Sequence, residues 1–183
     1  YSLNNPLLGF AHDGLRKIYV TGEDLAGNVT PDGTADSLLI FIDTSGPQIS
    51  GITINTPDST YNIWDHKGKP DGGNDGYLVP TPLVNSLVIG VRDLPIRNGI
   101  LPDFIYNPIF TPSSLNPGHY LLSGDANGII PIKTITYTPT KEIDGAVAEG
   151  YITLTFYEAL PDDRYTLSLS DKITDRVGNR LDG

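Results

Sequence analysis

The sequence predicts an all-β fold, an antiparallel β-sandwich, and three observations predict it. Short segments carry β-branched and aromatic residues at a period of two. Turn pairs such as Asp32-Gly33, Asn127-Gly128 and Asp144-Gly145 separate those segments. No stretch of about 12 residues carries a helical period of apolar positions.

The first β-rich segment is Lys17-Ile18-Tyr19-Val20-Thr21, and the second runs from Leu38 to Ile42. Ile49, Ile52 and Ile54 mark a third, with Gly51 placed to form a bulge. Leu83 to Val91 is long and strongly apolar. Ile129 to Thr138 alternates, but Pro131 removes a ladder donor and predicts an edge or a bulge there. Tyr151 to Phe156 sets Ile152, Leu154 and Phe156 on one face, and Tyr165 to Leu169 repeats the pattern with Tyr165, Leu167 and Leu169. Short helical turns are expected at Arg92–Arg97 and Pro112–Asn116. Asp125-Ala126-Asn127-Gly128 reads as a hairpin turn between Tyr120–Ser123 and the Ile129 strand.

Composition bounds the function. The 183 residues contain no Cys, which removes disulfides, thiol catalysis and thiolate metal sites. The net charge of -10 argues against nucleic acid and anionic membrane surfaces, since both require a basic footprint. No apolar run is long enough to span a bilayer as a helix, so membrane insertion is not expected. The acids are 18 Asp against 4 Glu. Asp favours turns and caps, and its carboxylate suits hard cations such as calcium. The chain begins at Tyr1 and contains no Met, which reads as a processed or excised piece of a longer protein.

Asp43-Thr44-Ser45-Gly46-Pro47 has the composition of a linker. Residues 1–45 hold too few strands for a sandwich of their own and are expected to be the last part of a module. Residues 46–183 suffice for one complete sandwich carrying two insertions, 58–82 and 95–118, both rich in Gly, Asp, Asn and Pro.

Two stretches share one pattern. Asp24-Leu25-Ala26-Gly27-Asn28 follows the first strand, and Asp175-Arg176-Val177-Gly178-Asn179 follows the last. With their surroundings, DGLRKIYVTGEDLAGNVT with the IDTSGP linker, and YITLTFYEALPDDRYTLSLSDKITDRVGNRLDG, they resemble the bacterial Ig-like repeat domains, including the S-layer type. The resemblance covers 10–47 and 150–183 well, 80–92 and 118–138 less specifically, and neither insertion. It implies an Ig-like antiparallel β-sandwich with long loop insertions, preceded by a partial Ig-like module. It further implies a non-catalytic structural or adhesive module of a larger secreted or cell-surface protein: an envelope layer, a stalk or an adhesin. The expected partners are neighbouring Ig-like modules or identical chains, with carbohydrate or a cell-surface polymer as a further candidate. An accessory carbohydrate- or partner-binding module of a large secreted enzyme is the alternative. By the same resemblance, one more strand is expected after Gly183 or from another chain.

Two readings of the Asp-x-x-Gly-Asn turn stand side by side. Gly can take positive φ, Asn tolerates the left-handed region, and Asp can accept backbone N–H groups, so the residues suffice to close a turn. The resemblance adds a calcium reading, in which Asp24, Asn28 and Asp43 hold an ion at the linker, with Asp93 as a fourth candidate. Asp71, Asn74 and Asp75 form a second candidate site, because oxygen ligands spaced by glycines suit a hard cation. That loop lacks the ligand order of an EF-hand and reads equally as a plain Gly/Asp loop.

Catalysis finds little support. His12, His66 and His119 sit in unrelated contexts, and neither Gly-x-Ser-x-Gly nor a phosphate loop occurs. Glu158 and Asp162 are a weak acid–base pair. Trp64, near Tyr61 and His66, fits a loop anchor better than a sugar platform. Asp162 and Asp163 read as a solvated turn, with Asp163 free to pair with Arg164 or Arg97.

Overall fold

The structure, a computed structural model, describes residues 14–30, 36–56, 59–65, 83–93, 96–97, 104–105, 111–144 and 147–181. The chain divides into two compact units, Tyr1–Thr44 and Ser45–Gly183.

The first unit contains β1 (Gly14–Val20) and β2 (Asp36–Ile42), paired antiparallel from Gly14↔Ile42 to Val20↔Asp36. Ile18, Val20 and Leu38 remain 45%, 62% and 59% exposed, and no described side chain of this unit is buried. A two-stranded ribbon with Ile18, Val20 and Leu38 largely in water is marginal by itself.

The second unit is a β-sandwich of antiparallel sheets. Its strands are β3 (Gln48–Asn55), β4 (Thr60–Asp65), β5 (Val84–Asp93), β6 (Ile96–Arg97), β7 (Phe104–Ile105), β8 (Tyr120–Gly124), β9 (Gly128–Ile130), β10 (Ile132–Asp144), β11 (Val147–Leu160) and β12 (Tyr165–Leu169). One sheet has the order β10-β11-β5-β3-β4 and the other β12-β8-β9, while β6 and β7 form a separate short pair. A single helical turn, α1 (Thr111–Ser114), precedes β8.

Period-two alternation builds the core. Leu87, Ile89 and Val91 of β5 face inward, in register with Leu154, Ile152 and Gly150 of β11. Ile54 of β3 joins the Leu87 row, and Tyr120 and Leu122 close the core from the second sheet. Ile89, Val91, Leu154 and Ile173 are fully buried. Each such side chain contributes roughly 1.5–3 kcal/mol relative to exposure. The bulge expected at Gly51 is present as a register shift between Ile49 and Gly51, and the ladder is interrupted at Pro131, between β9 and β10.

Two expectations need correction. Among the described residues of the segment 92–97 there is no helical turn. β5 continues through Asp93 because Arg92 and Asp93 pair with Glu149 and Ala148, and Ile96–Arg97 is itself a strand. The first insertion does not begin at 58, because β4 occupies Thr60–Asp65. Tyr61 and Ile63 of β4 pack on the core while Asn62 points to solvent, so this segment belongs to the sheet.

Truncating Leu154 to Ala at the centre of the core is expected to cost about 2–5 kcal/mol, read as a lowered denaturant midpoint. Truncating Ile129, which is 72% exposed, is expected to change stability by less than about 0.5 kcal/mol.

Candidate functional site

Both Asp-x-x-Gly-Asn segments fold into the same turn, each residue of the second lying 151 positions after its counterpart. In the first, Asp24 Oδ1 accepts the N–H groups of Ala26 and Asn28, both at 2.9 Å, and Asn28 Nδ2 donates to Asp24 Oδ2 at 2.7 Å. In the second, Asp175 Oδ1 accepts from Val177, Gly178 and Asn179 at 2.8, 2.6 and 2.9 Å, and Asn179 Nδ2 donates to Asp175 Oδ2 at 2.8 Å. Gly27 and Gly178 take φ of 84° and 97°, where a Cβ would be strained. The backbone repeats as well. Asp24 N–H bonds the Asn28 carbonyl and Thr30 N–H the Gly22 carbonyl, just as Asp175 bonds Asn179 and Leu181 bonds Ile173. The bridges Glu23↔Val29 and Thr174↔Arg180 complete the match.

The two turns differ in depth. Asp24 is exposed, and the Asn28 side-chain and backbone donors hold its carboxyl below the ordinary value. Asp175 is 2% exposed. Its segment is braced from α1, where Ser113 Oγ accepts from Thr174 N–H at 3.0 Å and donates to the Thr174 carbonyl at 3.3 Å. α1 is in turn fixed by Tyr120, whose hydroxyl donates to the Ser114 carbonyl at 2.6 Å. Burial pushes the Tyr120 hydroxyl pKa well up, so it remains a donor.

The second turn also fastens the linker. Asn179 Nδ2 donates to the Ser45 carbonyl at 3.1 Å. A Cβ on Gly46 would run into the Arg180 carbonyl, and Pro47 is fully buried. The Ser-Gly-Pro order follows from this seating: a carbonyl for Asn179, no side chain at the close approach, and an apolar ring inward.

Asp93, at the end of β5, is 4% exposed and presents a carboxylate oxygen within 4.8 Å of one from Asp175. Two oxygens each about 2.3–2.6 Å from one calcium stand at most about 5 Å apart, so the pair fits a hard cation. Of the other predicted ligands, Asp24 and Asn28 are brought together, but each binds the other within its own turn. Asp43 directly follows β2, one residue before the first unit ends at Thr44. Asp71, Asn74 and Asp75 lie outside the described residues, as do His12 and His66. His119 Nδ1 lies 2.8 Å from the Ser113 carbonyl, in the brace beside α1.

The role of Asp163 escaped the sequence reading. Its carboxylate holds the β8–β9 turn, accepting from the N–H groups of Ala126 and Asn127, from Asn127 Nδ2 and from Arg164 N–H. Partial burial pushes its carboxyl up, yet the Asn127, Arg164 and Ala126 donors together outweigh this and hold it below the ordinary value. The usable signal was the hairpin sequence itself, whose Asn127 offers both side-chain and backbone donors.

No family model, curated protein or solved structure gives a significant match to this chain.

Asp175→Ala strands three part-buried N–H groups and is expected to cost about 3 kcal/mol or more by denaturant unfolding of the second unit. Asp24→Ala, in water, should cost far less. Because the folded pKa of Asp163 is depressed, its contribution is present above the ordinary carboxyl value of about 3.8 and is lost as pH falls through the lowered folded value. Amide exchange at Ala126 and Asn127, measured from pH 6 downward, should accelerate in that acid window and be insensitive to pH-linked unfastening above it.

Proposed function

We propose that this chain is a structural, non-catalytic stretch of Ig-like modules from a larger secreted or cell-surface protein, with calcium bound beside the second Asp-x-x-Gly-Asn turn. What supports the reading is one observation above others: the same hydrogen-bonded turn is built twice, 151 residues apart, in two separate units. A device repeated with its backbone bonds intact belongs to tandem modules, because an active-site turn has no reason to recur.

Calcium takes its place from the second unit. Asp93 and Asp175 bury two carboxylates side by side. Like charges at that spacing in a low dielectric raise each other's energy, and a divalent ion reverses the sign of the interaction. This reading moves from Asp24 to its counterpart Asp175, because Asp175 is buried with Asp93 close by whereas Asp24 is exposed.

Binding to the folded chain alone raises stability by mass action, about 2.7 kcal/mol at a calcium concentration one hundred times Kd. Calorimetric melting with calcium against chelator is expected to show this as a higher Tm. Asp93→Asn should weaken the shift while leaving the calcium-free Tm within a few degrees. Identical melting curves in calcium and chelator would overturn the calcium assignment. Specific binding of the chain to purified polysaccharides, saturating at micromolar concentration, would instead favour the accessory module of an enzyme.

A further inference from the structure

The β8–β9 turn sets one asparagine apart. Among the described asparagines, only Asn127 is followed by glycine. An asparagine side chain is electrophilic at Cγ, and the nitrogen of the next peptide can reach it to close a cyclic imide. A Cβ on the next residue crowds that approach, and glycine has none. Asn127 and Gly128 are both exposed, and a Cβ built at Gly128 would meet nothing within 4 Å. Water and a rearranging backbone both have room there.

Asp163 stands against this chemistry. Asn127 Nδ2 donates to Asp163 Oδ2 at 2.8 Å, and Asn127 N–H donates to the same oxygen at 2.9 Å. Ala126 N–H adds a bond at 3.0 Å. A Cβ on Gly124 would run into that carboxylate, so the acid is seated close against the end of β8. While these bonds hold, the Asn127 amide is turned to residue 163 and its Cγ cannot swing back onto the Gly128 nitrogen. Bonds to a charged acceptor are the stronger kind.

We propose that Asn127–Gly128 is a self-modification site, a deamidation site whose rate is set by opening of the Asp163 clamp. The Gly128 nitrogen gives its proton to hydroxide and attacks Asn127 Cγ. A C–N bond forms, the Cγ–Nδ2 bond breaks, and ammonia leaves with a proton from water, which returns the hydroxide. Water then adds to one imide carbonyl. Cleavage of the new Cγ–N bond leaves aspartate at 127. Cleavage of the original peptide bond leaves isoaspartate, with the chain running through the side chain. Neither route needs an oxidant or a reductant. Either product puts a carboxylate where the Nδ2 donor stood, opposite Asp163. A donor–acceptor contact at 2.8 Å becomes a contact of like charges. The modification is one-way, and it unfastens the β8–β9 turn. It rests neither on the module reading nor on the cation.

The test incubates the 183-residue chain at mildly alkaline pH, folded and in urea, and follows the peptide carrying Asn127 by mass spectrometry. Aspartate and isoaspartate are expected at 127 in both, forming about tenfold or more slowly in the folded chain, where charge-assisted bonds must first open. Asp163→Ala should bring the folded rate toward the urea value, with protection of the Leu154 amide showing that the core is intact. Asp163→Asn, which keeps the shape and removes the charge, should lie between. Asn127→Asp, made directly, should speed hydrogen exchange at the Ala126 amide. Equal rates in the folded and unfolded chain, or Asp163 variants that deamidate no faster than the native chain, would overturn the assignment.

Discussion

The carboxylate of Asp175 is the contact on which the second unit's architecture turns. One buried side chain satisfies three successive backbone N–H groups and orients Asn179. Asn179 then spends its other amide hydrogen on the Ser45 carbonyl. The start and the end of the unit are thereby joined through one aspartate. A charged acceptor in a part-buried setting gives bonds stronger than neutral ones, and its loss deprives three successive donors of that partner at once. Around this point gather the α1 brace through Ser113, the close approach of Gly46 to Arg180 and the burial of Pro47. The surface pair Arg180–Asp171, at 3.0 Å with both side chains more than half exposed, adds little by comparison.

The same turn in water is a different object energetically. Asp24 and Asn28 reproduce the hydrogen bonds, yet water competes for each of them. The first turn is therefore a local shape, and the second is a structural tie. Duplication with a change of burial explains how one short motif serves both as a chain reversal and as a fastening.

Much of the sandwich was legible because its strands face the core on one side only. Ile152, Leu154 and Phe156, or Tyr165, Leu167 and Leu169, declare a period of two with no help from tertiary context. Gly51 and Pro131 declared their irregularities for the same local reason, one lacking a side chain and the other a donor. What escaped the sequence was tertiary. Nothing in the string Arg92-Asp93 says that β11 extends far enough to carry β5 through it, and nothing in Thr60–Asp65 separates an edge strand from the loop that follows. The partnership of Asp93 with Asp175 joins positions 82 residues apart, and only the pairing of the sheets brings them near each other. Asp163 was misread because its neighbour Arg164 suggested an ion pair, whereas its carboxylate serves a hairpin some 37 residues earlier.

Native-state hydrogen exchange, resolved by residue across both turns, tests the central claim that one turn is used at two depths. The Val177, Gly178 and Asn179 amides should open only with global unfolding of the second unit, tracking denaturant with the same slope as the Leu154 amide. The Ala26 and Asn28 amides should open locally, with almost no dependence on denaturant. If the amides around Asp175 also exchange by local opening, while the core amides remain protected, the aspartate closes a turn and nothing more.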